Sequence, residues 1–241
     1  MSNQYGPRIV TNGLVLCLDA ANTKSYPGSG STWSDLSSFG ANCSLVNGPI
    51  YTSSDGSFSF DGIEEYGSIT NAQTRTDIMT NEVWFRPSSV VGGENGRSTL
   101  IRTVPSNTLS DMICILQNSG TNLAKIVIEM KNSNDIGYTG YESAANIVTI
   151  NRWYHMVHTI NRPSGNTRVF LNTTSVINSS TSTHSMTFSA NIQIAQQGTN
   201  TANAFARRFT GKIGSVRIYN RVLSTAEVLQ NYNATKGRFG L

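Results

Sequence analysis

Charge is what this chain of 241 residues has least of: Asp, Glu, Lys and Arg make up only 13% of it, against about 25% in an ordinary domain. Ala, Glu, Lys and Leu are missing in the bulk that a coiled coil or helical bundle needs, which excludes both. No apolar run reaches the roughly 18 residues of a helical membrane span, so no membrane partner is expected. The opening Met1-Ser2-Asn3-Gln4-Tyr5-Gly6-Pro7 lacks the basic and apolar regions of a signal peptide, so synthesis in a cytoplasm is expected. Cysteine is scarce and odd in number, at Cys17, Cys43 and Cys114, which argues against a disulfide framework. Cys17 and Cys114 stand in apolar runs and read as small buried hydrophobes. With no Cys-x-x-Cys, a structural zinc site lacks its ligands. Lys/Arg clusters interleaved with stacking aromatics are also missing, which excludes nucleic acid as a partner.

In place of charge stand 30 Ser, 26 Thr and 25 Asn, with 21 Gly. Hydrophobic residues make 38% of the chain, enough for a core. Short apolar or alternating runs separated by Gly, Pro, Asn and Ser clusters are the pattern of a β-sandwich or barrel. Strands are predicted at Leu14–Asp19, Ser57–Phe60, Tyr66–Ile69, Asn81–Arg86, Ser98–Val104, Met112–Gln117, Lys125–Met130, Ile147–Ile150, Tyr154–Ile160, Thr167–Leu171, Ile192–Ala195 and Lys212–Tyr219. Pro163-Ser164-Gly165-Asn166 is a turn joining two of them as a hairpin. Residues 24–49 read as a long polar loop pinned by Trp33 and Leu36. Ser224-Thr225-Ala226-Glu227 is a capping box, which predicts a capping helix over 223–236. Without a composition break or repeat, residues 1–241 read as one sandwich domain with an N-terminal arm, 1–12. Four Asn-x-Ser/Thr sequons, at Asn42, Asn172, Asn178 and Asn233, are what this composition yields by chance.

The net charge of +4 is unevenly spread. Residues 201–241 carry Arg207, Arg208, Lys212, Arg217, Arg221, Lys236 and Arg238 against Glu227 alone. Arg207, Arg208, Arg217 and Arg238 are the candidate docking surface for an acidic partner.

Gly13-Leu14-Val15-Leu16-Cys17-Leu18-Asp19-Ala20-Ala21-Asn22, followed by Ser25-Tyr26-Pro27-Gly28 and Thr32-Trp33-Ser34-Asp35-Leu36, resembles the opening of a concanavalin A-like (laminin-G-like) domain of tailed-phage structural proteins. Gly6-Pro7-Arg8-Ile9-Val10-Thr11 is similar to the version common in phages of aquatic bacteria, notably cyanophages. Phe60-Asp61-Gly62 with Tyr66, Val83-Trp84-Phe85, Trp153-Tyr154-His155-Met156-Val157, and Gly211-Lys212-Ile213-Gly214-Ser215-Val216-Arg217-Ile218-Tyr219-Asn220-Arg221 resemble later family segments in the same order. The resemblance implies an all-β, two-sheet antiparallel jelly roll with one short C-terminal helix. It also implies a non-enzymatic virion protein, a capsid decoration or appendage subunit, partnered by other virion proteins and made in the host cytoplasm. Homo-oligomerisation stays open. Glu65 replaces the family's usual Asp before Tyr66, and Gly214-Ser215 replaces an acidic position. Both departures weaken an inherited calcium site.

Glycoside hydrolysis, known among relatives of this fold, needs two carboxylates about 5–9 Å apart. The Glu-x-Asp-x-x-Glu spacing that places them on one strand face is absent, and no Gly-x-Ser-x-Gly elbow occurs. No catalytic residue is assigned. His155 and His158 are an odd number apart and face opposite sides of their strand. No cofactor is expected beyond a candidate calcium site from Asp35, Asn42, Asp61 and Glu65, whose oxygens suit that ion. Sugar binding needs an exposed aromatic platform beside amides. The Gly/Asn-rich loop carrying Asn134, Tyr138 and Tyr141 is the candidate for a host surface polysaccharide. Trp84 and Trp153 stand in apolar strands and are expected in the core.

Overall fold

The structure is a computed structural model and describes residues 7–75, 77–90, 96–105, 112–131, 138–181, 188–196 and 207–241. Strands are numbered in chain order. One sheet of eight runs β15 (Thr174–Ser180), β14 (Asn166–Leu171), β13 (Tyr154–Asn161), β7 (Ile78–Pro87), β17 (Thr210–Tyr219), β5 (Ser57–Asp61) and β4 (Ile50–Thr52). Its eighth strand, β1 (Leu14–Asp19), pairs with β17 from Ser215 to Tyr219. The other sheet, of nine, runs β11 (Tyr138–Glu142), β10 (Leu123–Lys131), β9 (Met112–Gly120), β8 (Arg97–Pro105), β16 (Phe188–Ile194), β6 (Tyr66–Arg75), β3 (Cys43–Val46) and β2 (Thr32–Trp33). Its ninth, β12 (Val148–Thr149), pairs with β10. The all-β, two-sheet antiparallel sandwich with a short C-terminal helix is therefore as expected.

Alternation builds the space between the sheets. Ile126, Ile128 and Met130 of β10 join Ile69, Ile192 and Ile194 from one side, and Met79, Val83, Phe85, Ile213 and Val216 from the other. Trp33 is fully buried, with its ring 4.9 Å from Phe58. Leu36 does not pin the polar segment as expected, being 36% exposed. Tyr26 takes that place, with its ring edge-on to Phe58 at 4.7 Å and its hydroxyl donating to the Gly30 carbonyl at 3.0 Å. A second difference is β11, which forms an edge strand where a loop was expected. Its central Gly140 and the Gly/Asn-rich stretch before it mask the strand signal, and pairing with the apolar β10 decides its conformation. The hairpin at 163–166 forms as predicted between β13 and β14.

A third, partial layer covers the outer face of the eight-stranded sheet. Helix α1 (Thr225–Thr235) starts at Ser224, and both hydrogen bonds of the capping box are made. The Arg221 guanidinium, bonded to both Glu227 oxygens at 2.9 and 2.6 Å, holds that carboxyl at about 2 despite its partial burial. Val228 and Asn231, three residues apart and so on one helical face, are both buried. Val10 of the N-terminal arm, Leu223, Val228, Tyr219, Val157 and Phe170 form a separate apolar cluster under the helix.

Candidate functional site

Strand β7 crosses the middle of this outer face, and every second residue points outward: Thr80, Glu82, Trp84 and Arg86. On β17 they face Tyr219, Arg217, Ser215 and Lys212. On β13, His155 pairs with Trp84 and Val157 with Glu82. Glu82 and Arg217 are each 1% exposed, with a guanidinium nitrogen 2.5 Å from Glu82 Oε1. His155 Nε2 lies 3.0 Å from the same oxygen, and Asn231 Nδ2 donates to Oε2 at 2.6 Å. Burial alone would raise the Glu82 carboxyl. The Arg217 charge and the bonds from His155 and Asn231 outweigh it and hold the group at about 2. Asn231 also accepts the Val10 N–H at 2.7 Å, so one helical amide ties arm, sheet and helix together.

Next along the row, Trp84 is sealed. Phe239 stacks on it at 4.4 Å, and the Trp84 ring also lies 4.8 Å from His155 and 5.8 Å from Tyr232. Phe239 ends a 3-10 turn, Lys236–Phe239. It reaches the sheet because Gly214, at the β17 bulge, has no side chain; a Cβ there would stand 2.7 Å from the Phe239 ring.

Beyond Trp84 the cover stops, and Arg86 opens into two adjoining depressions. The first, about 280 Å³, is lined by Ser59, Phe60, Arg86, Ser88, Asn151, Gly211 and Lys212. The second, about 370 Å³, is lined by Arg86, Asn151, Arg152, Trp153, Tyr154 and Asn172, with the chain segment from Phe239 to Leu241. Gly211, at φ 147°, forms part of the floor. A Cβ there would lie 2.3 Å from the Arg86 carbonyl oxygen. Asn151 stands between the depressions in the left-handed conformation, φ 61°, which Asn tolerates. Its N–H donates to the Pro87 carbonyl at 2.6 Å. Asn172 and Thr173, at φ 47° and 74°, make the tight turn from β14 to β15. The turn is clasped to β13: Asn172 N donates to the His155 carbonyl at 2.8 Å, and its Oδ1 accepts the His155 N–H at 2.9 Å. The groove thus offers guanidinium, ammonium, amide and hydroxyl groups beside aromatic edges, with no Asp or Glu side chain among the described residues lining it.

The residues expected to form sites are scattered. Asn134 lies outside the described residues. Tyr141 pairs with Ile128 and packs against the core between the sheets, so it is no exposed platform. Of Tyr138 the structure describes the backbone, paired with Lys131. Positions 138 and 141 alternate faces of β11 and do not share one platform. Asp35 accepts from the N–H groups of Cys17, Ser37 and Ala41, and Asn42 Oδ1 accepts the Asp35 N–H at 2.9 Å. Asp61 and Glu65 close a different turn, with Glu65 Oε2 accepting the Asp61 N–H at 2.8 Å and Asp61 Oδ1 accepting from Ile63 at 2.7 Å. The calcium candidates therefore fall into two pairs on separate loops, each bonding local backbone. Among the described residues, no three His, Cys, Asp or Glu side chains converge as a metal site. The four docking arginines do not form one surface. Arg217 is buried against Glu82, so it cannot meet a partner. Arg238 pairs with Asp19 at 2.5 Å beside it. Arg207 belongs to the other sheet: its carbonyl accepts from Thr99 and its guanidinium bonds Glu129 at 2.7 Å, with Arg208 partly exposed next to it. Trp84 is buried as expected, and Trp153 is 9% exposed, both under Phe239 on the outer face and not between the sheets.

Residues 61–229 match the family described as the concanavalin A-like lectin/glucanases superfamily. Comparison with curated protein sequences finds no match. Among solved structures the fold is similar to domain 4 of a GH43 extracellular arabinanase from Geobacillus stearothermophilus, determined in complex with arabinotriose. That likeness has a TM-score of 0.64 and 13% identity, over 92% of this chain and all of that one. It is similar to the binding domain of botulinum neurotoxin serotype D, with TM-score 0.68 and 12% identity over 92% of this chain. The chain spans about half the length of that toxin domain, 52%. A heptameric SAP-like pentraxin from Limulus polyphemus matches over 72% of this chain and 79% of its own, with TM-score 0.57 and 14% identity.

Proposed function

We propose that this chain, which belongs to the concanavalin A-like lectin/glucanases superfamily, is a non-enzymatic glycan-binding module carried on a phage particle. The observation that carries the binding reading is the open groove around Arg86, Asn151 and Trp153. Its donors suit sugar hydroxyls, the rim of Trp153 suits a sugar C–H face, and among the described residues no acidic side chain lines it. Hydrolysis would need two free carboxylates facing one cleft. Here Glu82, Glu129, Glu142, Glu227, Asp19 and Asp55 are each held in an ion pair. The reading needs no cofactor. The arabinanase domain solved with arabinotriose supports it as a likeness of fold.

Placement on a virion, as a capsid decoration or appendage subunit docked on its neighbours, rests on the likeness of residues 6–36 to tailed-phage structural proteins. The uncharged Ser/Thr/Asn surface suits repetitive packing with little repulsion. Two experiments test the two halves. On a glycan array the chain binds a defined set of saccharides, and Trp153→Ala abolishes that binding; an array with no bound glycan overturns the module. Mass spectrometry of purified particles finds the chain in many copies, and its absence from particles overturns the placement. Incubation with arabinan or β-glucan releases no reducing ends; release would return the chain to the hydrolases.

A further inference from the structure

Cations in this fold are regularly neutralised. Arg217 meets Glu82, Arg207 meets Glu129, Arg221 meets Glu227, Arg238 meets Asp19 and Lys212 meets Asp55. Arg86 departs from that pattern. It is half-buried where the two depressions meet, and no hydrogen bond or ion pair engages its side chain among the described residues. Arg152 stands exposed in the same groove. The other polar groups there add to an excess of donors. Asn172 has its Oδ1 engaged by the His155 N–H and keeps its NH₂. The Asn151 backbone N–H is used by Pro87, and the residue lines both depressions.

A half-buried guanidinium beside Trp153 and Phe60 lies in a lower dielectric than bulk water, which strengthens its pull on an anion. Its planar fork also matches a carboxylate or sulfate through two parallel hydrogen bonds. We infer that the saccharide taken by this groove is anionic, and that Arg86 receives its carboxylate or sulfate group with Asn151 beside it. The inference rests on the glycan-binding reading and adds the class of ligand. Arg86 supplies the charge selection, Arg152 adds a positive field, and Trp153 supplies the apolar edge for the ring.

The test compares wild type, Arg86→Gln and Arg168→Gln on one array of carboxylated, sulfated and neutral glycans. Calorimetry follows with trigalacturonic acid and its carboxyl-reduced, neutral counterpart. Wild type is expected to favour acidic glycans by about tenfold or more, about 1.4 kcal/mol. That preference weakens as salt rises from about 50 to about 500 mM and screening tightens. Arg86→Gln removes the preference and keeps residual binding to neutral sugar. Arg168→Gln, on the exposed side of β14, leaves it unchanged. The carboxylated and sulfated arms tell which anion is taken. Equal binding of acidic and neutral glycans by wild type, or an unchanged preference in Arg86→Gln, overturns the anionic ligand and leaves the glycan module standing. Binding to no glycan, including retention only on an acidic protein surface, overturns both.

Discussion

Glu82 and Arg86 stand four residues apart on one strand, point from the same face, and meet opposite fates. At Glu82 the helix, the arm and Arg217 close over the charge and satisfy it completely. At Arg86 the third layer has run out, and the charge is left at the edge of open space. Trp84 between them marks the border, sealed beneath Phe239. The difference lies in what covers the sheet, since β7 is equally regular at both positions. A buried charge with its partners is part of the scaffold; a half-buried charge without one is left available to a ligand.

Perturbing the closed half should cost the most. Arg217→Met leaves Glu82 buried without its guanidinium counter-charge, and is expected to lower stability by about 3–5 kcal/mol in urea unfolding. Adding Glu82→Leu should recover much of that loss, because an apolar pair of similar volume removes the stranded charge. At the border, Phe239→Ala should cost about 3 kcal/mol and shift tryptophan emission to longer wavelength as Trp84 becomes wet. Acid should act on the closed half. The Glu82 carboxyl is held at about 2 in the fold and ionises near about 4.3 in an unfolded chain. Its contribution is complete above that unfolded value and is lost as pH falls through about 2. Glu227 is held equally low and titrates in the same window. Glu82→Gln should therefore flatten the pH dependence of stability between about pH 4 and pH 2 in part. Arg86→Gln, in the open half, should change stability by no more than about 0.5 kcal/mol while removing charge selection. A large loss of stability there would erase the distinction between the two halves.

The scaffold was legible where signals are local. The capping box of Ser224 and Glu227, the Pro163–Asn166 turn and the alternation of Ile126, Ile128 and Met130 need only neighbours in sequence. Strands β11 and β15 were not legible, because polar edge strands take their conformation from the strand they pair with. The groove was less legible still. Arg86, Asn151, Asn172 and Lys212 come from four separate segments, and only the register of β7 against β13 and β17 brings them together. The one local clue was a pair of opposite charges, Glu82 and Arg86, in the otherwise apolar run Val83-Trp84-Phe85 and its flanks. The Tyr138 and Tyr141 loop drew attention because its aromatics stood among Gly and Asn, a pattern that an edge strand also produces.

The two ends of the described chain are stapled to each other: Asn12 and Arg8 offer carbonyls to Arg221 and Gln230, and Val10 hangs on Asn231. Strand β17 also fills the middle of its sheet, between β7 and β5. The centre of that sheet therefore closes only through pairings distant in sequence. Loop closure has to come before those contacts form, which predicts slow folding.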